Sequence, residues 1–568
     1  MKNKKRSLYI IGAGLLVFIS LIGVFRTVFI GADIDESYAL TMAMRIADGD
    51  TMFGNMWEPH QTSALLYAPI VWAFKSITGS MEGALVFMRS VGVFIQLTIS
   101  IYLFWCLKED YGKVSAFLAA VFYFNFTPKH IQSPEFTSIF YWQFMLLFLF
   151  LYQYEKGKKK RYLYLLGLSL STLVLGYPVI VLLFPVLCLF LALDEKDAKS
   201  RWLAILHVFL CCSICAIVFM SYLCIRTGIH TVMDSVPMVM MDESHKQNLG
   251  MHIKEHALGI WDMAKITLIF AVLIQIVREW LKKKTEIQSF LWICLFLGQG
   301  IWSLYQFHTI QKVNFMILYP ILFQYFLLLG ILYLWNGKEK REHECIAGRV
   351  SILSVIAFCG ILLLSNLPTM YSASFLYPGL IWLALAIFGK EYRNSQTAKK
   401  SFWLSVCLCV GLLTVQIFVT RICLVRFTAT QRKNIFEGYQ KVQEGVLDSV
   451  YLAEFDYSQY LQKMDALQRY VGPKDRLLFI GSDMFLYSSL DANQISTCNT
   501  ISTPAFSGQL MEYYDRNSDK IPTVVFVDRE YGADYSVLLE QEPLASFMKQ
   551  YFNLDHPVYD GPLTIYQR

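Results

Sequence analysis

The chain opens with the stretch "SLYIIGAGLLVFISLIGVFRTVFIGADIDE", residues 7–36, in which a long apolar run ends directly in three carboxylates. The run from Ser7 to Ile30 is longer than the about 20 residues with which a helix crosses a bilayer. It also exceeds the apolar core of a secretory signal, about 7–15 residues, and no clear small-residue cleavage site follows it. We therefore predict a retained first transmembrane helix, with acidic residues at the point where it leaves the lipid.

The composition of the whole chain is that of a polytopic membrane protein. Of its 568 residues, 55% are hydrophobic and only 17% are charged, whereas soluble domains carry about 25% charged residues. Apolar runs alternate with short breaks rich in Lys and Arg. The net charge of +6 belongs to those breaks, so we expect no nucleic-acid partner.

Hydropathy predicts thirteen membrane spans in residues 1–426. We place them near 7–30, 83–107, 113–127, 138–154, 162–177, 178–193, 202–226, 261–281, 287–306, 313–335, 349–365, 375–389 and 402–426. The breaks after even-numbered spans are strongly basic, for example "EKGKKKR" and "KKKTE". The positive-inside rule then predicts a cytoplasmic N-terminus, in a bacterial plasma membrane.

Residues 427–568 differ from the rest of the chain. Residues 430–470 are polar with helical periodicity. The segments "RLLFIGSD" (476–483) and "TVVFVDRE" (523–530) are typical of buried strands that end in polar turns. The predicted fold class is therefore an α-helical polytopic membrane domain, 1–426, followed by an extracytoplasmic α/β domain.

The first outer loop, residues 31–82, is long and is expected to be functional. Its segment "DESYALTMAMRIADGD" (35–50) has apolar residues at helical spacing, and Asp35 or Ser37 is expected to cap that helix. A second segment, 62–79, is apolar and aromatic. If it crossed the membrane, it would invert the sidedness of every later loop, so we expect an interfacial helix.

Three acids stand at the start of this loop: Asp33, Asp35 and Glu36. Capping would explain one of them, but three so close repel one another, and ionisable residues at membrane depth are usually functional. One of them can serve as a general base. Asp33 and Asp35 form a D-x-D that offers oxygen ligands to a divalent metal, Mg²⁺ or Mn²⁺.

The first loop resembles that of the GT-C membrane glycosyltransferases, most closely the protein-mannosyltransferase and aminoarabinose-transferase branch. The matching pieces are Asp35-Glu36, "AMRIADGD" (43–50) and "WEPHQTSALLY" (57–67). The family usually has a Pro-Pro pair where this chain has Gln61-Thr62-Ser63.

The resemblance implies transfer of a sugar from a polyprenyl-phosphate carrier to an acceptor on the outer side, with inversion. It implies Asp35 as the catalytic base, with Glu36 supporting it. Glu135, in the second outer loop, would correspond to a carboxylate of several relatives, although an acid in the first turn of the next helix is the alternative. Glu58 and His60, which join the two helices of the first loop, are candidate substrate-binding residues.

A phosphate leaving group needs positive charge beside it. Many relatives carry an Arg-aromatic pair before a late, Pro-containing span. The comparable stretch here, "HTIQKVNFMILYP" (308–320), offers Lys312 and His308 instead. Arg89 is another candidate, with snorkelling or pairing to an acid as the alternative.

The outer loop 227–260 contains four histidines. We expect ordinary surface residues. A lid over the active site, or metal binding by the i, i+4 pair, is the alternative. The four are His230, His245, His252 and His256.

Two other classes of function compete with a glycosyltransferase. A transporter or flippase of a lipid-linked or polar solute is favoured by the "GYP" break at 176–178, because transporters use broken helices. Against it, the chain shows no internal repeat, and its acids gather on one side. A non-catalytic scaffold predicts that the first-loop acids can be replaced without loss.

Overall fold

The computed structural model describes residues 2–128, 132–194, 197–240, 249–280, 294–302 without 296, 305, 318–335, 342–364, 369–393, 421–422, 438–481, 485–500, 507–529 and 539–568 without 541. The described part is mainly helical, with a small sheet domain at its C-terminal end. The predicted fold class is thereby confirmed.

The helices of the N-terminal part lie in this order: α1 Lys2–Phe29, α2 Ile34–Ala47, α3 Gln61–Ala64, α4 Ala68–Thr78, α5 Ala84–Tyr111, α6 Lys113–Asn125, α7 Phe136–Gly157, α8 Arg161–Gly176, α9 Leu183–Asp194, α10 Ala198–Arg226, α11 Ile229–Val239, α12 Leu249–Trp280, α13 Leu318–Trp335, α14 Glu342–Leu364, α15 Thr369–Ser372 and α16 Tyr377–Arg393. Short 3₁₀ turns at Pro178–Leu182 and Ala373–Leu376 precede α9 and α16. The end of this bundle that carries the first outer loop is called the outer end, after the predicted topology.

Six of the described helices are long and apolar enough to cross a membrane: Ile10–Phe29, Ala84–Tyr111, Phe136–Gly157, Ala198–Arg226, Gly250–Val277 and Ile346–Leu363. Five shorter apolar helices accompany them at Lys113–Asn125, Arg161–Gly176, Pro178–Leu193, Tyr319–Leu334 and Ala373–Ile387. The predicted spans 287–306 and 402–426 lie largely outside the described residues, and the total of thirteen stays a prediction.

Two breaks shape the bundle. Gly112, with a φ of 81°, separates α5 from α6 within "KEDYGK". Between α8 and α9, Tyr177 is extended and Pro178 begins the 3₁₀ turn. Proline has no N–H and disfavours helix in the residue before it. Because of this proline, α8 ends at Gly176 and Tyr177 is not helical. Tyr177 lies at the outer end of the bundle.

The first outer loop contains α2, α3 and α4. With 11 residues, α4 is about 16 Å long at 1.5 Å per residue, about half of what a bilayer crossing needs. Lys75 of α4 donates to Asp48, which follows α2, and to Asp491 of the C-terminal domain, at 2.8–2.9 Å. These hydrogen bonds hold α4 against the C-terminal domain.

The C-terminal domain consists of a hairpin, a four-stranded sheet and short helices. Its elements are β1 Tyr439–Lys441, β2 Tyr451–Ala453, α17 Glu454–Tyr470, β3 Leu477–Ile480, α18 Phe485–Ser488, α19 Ser507–Arg516, β4 Val524–Asp528, α20 Leu544–Tyr551, β5 Val558–Asp560 and β6 Leu563–Gln567. The sheet order is β3-β4-β6-β5, with β3 parallel to β4 and the other pairs antiparallel.

The two predicted strands correspond to β3 and β4, and every residue of both is buried. In the described part of the segment 430–470, which was expected to be helical, the helix begins only at Glu454, because β1 and β2 precede α17. Those two strands are antiparallel, with Tyr439 opposite Ala453 at one end and Lys441 opposite Tyr451 at the other. A register of this kind depends on the partner strand, which periodicity along one segment does not reveal.

The C-terminal domain is packed onto the first outer loop. The Trp57 backbone N–H donates to the Cys498 carbonyl at 2.9 Å, and the Trp57 ring packs edge-on against Tyr513 at 5.4 Å. At the end of α1, the Gly31 N–H donates to the Tyr451 carbonyl at 2.9 Å. The division at 426/427 stays a prediction, but the two parts share one buried core.

Candidate active site

Asp33, and not Asp35 or Ser37 as predicted, is the N-cap of α2. Its backbone is extended, and its Oδ1 accepts a hydrogen bond from the Asp35 N–H at 2.9 Å. Asp35 therefore lies in the first turn of α2, at the positive end of the helix dipole. Both side chains are largely buried, with 4% exposure for Asp33 and 9% for Asp35.

Glu36 and Arg89 form a buried ion pair. The Arg89 Nε donates to Glu36 Oε1 at 2.9 Å and the Nη2 to Oε2 at 2.5 Å. The remaining Arg89 donors reach the carbonyls of Val28 and Gly31. Because the protein itself engages this guanidinium, the geometry favours pairing with an acid over phosphate binding. The pair fixes the end of α1, the start of α2 and α5 beside Asp35.

The second outer loop joins the same site. The Ser133 hydroxyl donates to Glu36 Oε1 at 3.1 Å. Glu135 is the N-cap of α7, and its two carboxylate oxygens accept from the backbone N–H groups of Thr137 and Ser138 at 2.9 and 2.6 Å. Glu135 thus stands at the start of the next helix, as its N-cap and not in its first turn, in a fully buried position. Its role in substrate binding stays a prediction.

An aromatic cluster connects the first loop to the "GYP" break. The His60 ring stacks on Phe136 with centroids 3.8 Å apart and planes 2° from parallel. Tyr177 packs against both rings, 5.5 Å from His60 and 5.9 Å from Phe136. The Tyr177 hydroxyl is within electrostatic reach of both Glu135 and Asp35. The structure therefore brings the predicted residues Asp35, His60 and Glu135 together around Tyr177.

Sequence analysis missed Phe136 and Tyr177 as site residues. The "GYP" break was the available signal for Tyr177. The break alone does not identify the residues around Tyr177, because they come from distant segments of the chain. Nothing in the local sequence singles out Phe136 among 42 phenylalanines.

Glu58 is buried between the first loop and the C-terminal domain. Its Oε1 accepts from the Thr500 N–H at 2.9 Å and the Thr500 hydroxyl at 3.0 Å, and Arg45 Nη1 is 3.8 Å away. Its Oε2 has no hydrogen bond of ordinary geometry and faces the Tyr38 hydroxyl.

Burial raises the pKa of Glu58 to about 7, against the opposing effects of Arg45 and Thr500. Tyr67, whose pKa is also raised by burial, is close enough to both Glu58 and Glu135 to be affected by their charges.

Arg45 is the centre of the contact between the two domains, although the sequence analysis gave it no role. It lies in the quoted segment "AMRIADGD" and is completely buried. Its Nε donates to Asp50 at 2.8 Å, its Nη1 to the Thr497 carbonyl at 3.0 Å and its Nη2 to the Asn55 carbonyl at 2.5 Å. Lys520 of the C-terminal domain reaches the other oxygen of Asp50 at 3.2 Å.

Arg421 is a second arginine that the sequence analysis missed. Its side chain is fully buried, and it donates to neutral oxygens only: the Phe124 carbonyl and Asn125 Oδ1 at 3.3 Å, Thr27 Oγ1 at 3.1 Å and Gln132 Oε1 at 2.5 Å. Its Nε has no hydrogen-bond partner, and no carboxylate within the described ranges pairs with it. The available signal was an arginine inside the predicted span 402–426, five residues before the arginine that ends it.

Arg421 lies close to the ion pair that positions Asp35. Thr27 and Gln132, which accept from Arg421, are the chain neighbours of Val28 and Ser133. Val28 accepts from Arg89, and Ser133 donates to Glu36. A buried cation without a counter-ion is costly. Its position beside the acids makes it a candidate binding group for an anion.

Metal binding by the D-x-D segment, Asp33 and Asp35, stays a prediction. Asp33 is engaged as a helix cap, and in the portion of the chain that the structure describes no three His, Cys, Asp or Glu side chains gather closely enough to hold a metal ion. Octahedral oxygen sites need more ligands than two carboxylates of one turn supply. The reaction steps proposed below therefore use the side chains of the chain itself.

The remaining candidates lie elsewhere. His308 and Lys312 fall outside the described residues, as does His245. The Nε2 atoms of His252 and His256 are 3.1 Å apart, and the partners of this pair are the Leu362 carbonyl and the Thr369 hydroxyl. The structure thus brings the histidine pair to the end of α14 and the start of α15, and not to the first-loop acids.

The raised pKa of Glu58 gives a testable pH dependence. The folded protein holds a proton on Glu58 up to about pH 7, whereas the unfolded chain releases it near 4.5. The free energy of unfolding should therefore fall as the pH rises through this window, by up to about 3 kcal/mol. Thermal unfolding of wild type and Glu58→Gln, followed between about pH 5 and pH 8, measures it. The variant should lose most of this slope, and equal slopes would contradict the assignment.

Comparisons with known proteins give structural neighbours only. No protein-family model and no curated protein matches the sequence. Three solved structures of an oligosaccharyltransferase from Archaeoglobus fulgidus, AglB, resemble the chain at 12%, 13% and 12% identity, with TM-scores of 0.45, 0.46 and 0.47. They cover 91%, 94% and 94% of this chain and 69%, 72% and 71% of their own.

The three neighbours were solved, respectively, with an inhibitory peptide and a dolichol-phosphate, with a tethered acceptor peptide containing the NVT sequon, and with Zn and sulfate. At such identities and TM-scores the likeness concerns the general arrangement, and the function proposed below rests on the residues of this chain. Membership of the GT-C superfamily and the branch within it stay predictions. AglB belongs to the GT-C superfamily of membrane glycosyltransferases, the superfamily that the first-loop sequence of this chain resembles.

Proposed function

We propose that this protein is an integral-membrane glycosyltransferase. It transfers a sugar from a polyprenyl-phosphate carrier to an acceptor hydroxyl at the outer end of the bundle. The observation that carries the proposal is that the helix-start carboxylate Asp35 and the buried guanidinium of Arg421 are both joined to the Glu36–Arg89 ion pair through chain neighbours. Among the described residues, no carboxylate pairs with Arg421. A general base and a cation for a phosphate leaving group are the two charges that this reaction needs.

In the proposed reaction, the acceptor oxygen attacks the anomeric carbon of the donor sugar, and Asp35 accepts the hydroxyl proton. The bond between the anomeric carbon and the phosphate oxygen breaks on the opposite face, so the configuration inverts. The polyprenyl phosphate leaves with the electron pair and with its negative charge beside Arg421. The ion pair of Glu36 and Arg89 holds Asp35 in position throughout.

The aromatic cluster and Glu135 supply the walls of the site. His60, Phe136 and Tyr177 present ring faces and one hydroxyl, which suits a sugar because its C–H faces pack on aromatic rings while its hydroxyls form hydrogen bonds. Glu135 holds the start of α7 against this cluster. The acceptor is a glycan, a lipid or a protein, and undecaprenyl phosphate in a bacterial plasma membrane is the favoured carrier.

A transporter or flippase is the second candidate, because the break at Tyr177 interrupts a membrane helix. Transporters place their charged groups near the midplane of the bilayer. The acids Asp33, Asp35, Glu36 and Glu135 lie instead at helix starts, at the outer end of the bundle. This placement favours the enzyme.

The proposal is tested with purified full-length protein in proteoliposomes. The donors are undecaprenyl phosphates linked to radiolabelled hexoses or pentoses, and a cell-envelope extract supplies acceptors. We expect at least one donor to be consumed, with release of undecaprenyl phosphate and transfer of label. Translocation of an intact lipid-linked sugar without consumption of any donor would instead establish the transporter.

Arg421→Gln in the same assay tests the phosphate site. Loss of one preorganised donor to a developing charge lowers kcat by about 10²–10³-fold, so we expect kcat/KM for the donor to fall by about 100-fold. Arg26→Gln is the matched control, because Arg26 is also a buried arginine near the outer end of α1 and contacts Tyr439 instead. Equal effects of the two substitutions would remove Arg421 from the proposed site.

A further inference from the structure

Helix α11, Ile229–Val239, has three distinct faces. Residues three or four apart lie on the same side of a helix. One side is buried and includes Val232 and Ser235, with 5% and 1% exposure. A second side is polar and exposed, with His230, Thr231 and Asp234. A third side is apolar and exposed.

The buried side attaches α11 to both parts of the protein. Val232 packs with Met52 of the first outer loop and with Leu223 of α10. At the start of the helix, the Thr227 hydroxyl donates to the Met52 carbonyl at 2.8 Å. At its end, Gln509 of the C-terminal domain donates to the Met238 carbonyl. The helix is therefore attached to both the first loop and the C-terminal domain.

The exposed apolar side forms a stripe at the spacing i, i+4, i+7 and i+11. Met233 is 66% exposed, and Met240, which caps the helix, is 79% exposed. Single exposed apolar residues are common on protein surfaces, but four on one face of a helix form a contiguous patch, which is typical of a binding surface. The stripe consists of Ile229, Met233, Val236 and Met240.

The stripe continues a surface that already faces lipid. Helix α10 has the highest mean hydropathy of the described candidate spans, 2.7, and only 11% of that window is buried within the protein. Its last apolar residue, Ile225, is 82% exposed. The chain turns at Gly228, with a φ of 87°, and α11 begins at once. The apolar surface of α10 thus passes directly into the stripe.

We propose that α11 lies on the outer leaflet of the bilayer, with this stripe among the acyl chains and the face of His230, Thr231 and Asp234 towards water. Amphipathic helices bind membranes in this way. A second copy of the chain is the less suitable occupant, because four partly exposed side chains offer well under the about 800 Å² per partner of a stable protein interface.

The consequence is an anchor that sets the depth of the outer parts of the molecule. Because α11 contacts both the first outer loop and the C-terminal domain, its position on the leaflet fixes their height above the lipid. This inference does not depend on the proposed enzymatic activity, since it uses none of the site residues.

The inference is tested by photo-crosslinking of the full-length protein in lipid nanodiscs. A diazirine-bearing amino acid is placed at Met233 or Val236 on the stripe, and at His230 or Asp234 on the polar face. Adducts are identified by mass spectrometry. We expect lipid adducts at positions 233 and 236, at least tenfold more abundant than at positions 230 and 234. Ile217, an exposed apolar residue of α10, is the positive control.

Two outcomes would overturn the proposal. One is lipid labelling at positions 233 and 234 to the same extent, which would mean that α11 stands away from the leaflet. The other is a protein adduct at position 233 from a second copy of the chain, which would mean that the stripe is an interface between copies. Each labelled protein is first checked for the thermal unfolding midpoint of wild type, so that misfolding does not produce either outcome.

Discussion

Asp35→Asn should lower the rate of sugar transfer by about 10²–10⁴-fold, the usual contribution of a general base. The substitution keeps the shape of the side chain and its place in the first turn of α2, and it removes only the ability to accept a proton. The KM for the donor should change little, because Arg421 and the aromatic cluster are untouched. The assay with labelled undecaprenyl-phosphate sugars measures both constants.

Asp33→Asn is the matched control for this experiment. It removes a carboxylate two residues away, but asparagine caps a helix about as well as aspartate. The hydrogen bond from the Asp35 N–H can therefore persist. We expect activity within about tenfold of wild type. If Asp33→Asn abolished transfer and Asp35→Asn did not, the base would be Asp33, and the role of Asp35 would be disproved.

Arg45→Met should cost about 3–5 kcal/mol of folding free energy. Methionine keeps much of the buried volume, but the substitution leaves Asp50 without the closer of its two cations and the carbonyls of Asn55 and Thr497 without their donor. Breaking a buried ion pair from one side has this magnitude because an uncompensated charge stays behind. The effect should be visible as a lower unfolding temperature and as faster proteolysis of the C-terminal domain.

Lys75→Met provides the comparison for Arg45→Met. Lys75 also joins the first loop to the C-terminal domain, through Asp48 and Asp491, but a quarter of its side chain is exposed. Exposed pairs contribute about 0–1 kcal/mol. We therefore expect a small effect at Lys75 and a large one at Arg45. Similar effects would mean that burial does not decide the strength of this contact.

Several features of the fold could be predicted from the sequence because they depend on local composition. The hydrophobicity of Ile10–Phe29 or Ala198–Arg226 is a property of those residues alone. Proline at 178 and glycine at 112 interrupt helices through their own backbone geometry. The strands β3 and β4 were recognisable because they are continuously apolar and end in polar turns.

The roles of the charged residues could be predicted only in part. The cluster of acids after α1 was identified correctly as a feature, but its members separate in the structure. Asp33 caps α2, Glu36 pairs with Arg89, and Asp35 lies within electrostatic reach of Tyr177. Arg89 lies 53 positions from Glu36, and the Thr497 carbonyl lies 452 positions from Arg45. Such distances along the chain give no pattern in a single sequence.

The sequence by itself therefore determined that the protein is a bundle of membrane helices with a small sheet domain, and that acids stand where the first helix ends. Hydropathy, helix breaking and capping act within a few residues, so they can be recognised in any one segment. Only the tertiary structure decided which acid caps the helix, which is paired with an arginine and which lies within electrostatic reach of Tyr177, and that Arg421 is buried with no carboxylate of the described residues beside it. Those outcomes depend on the electrostatics and the packing of segments that folding alone brings into contact.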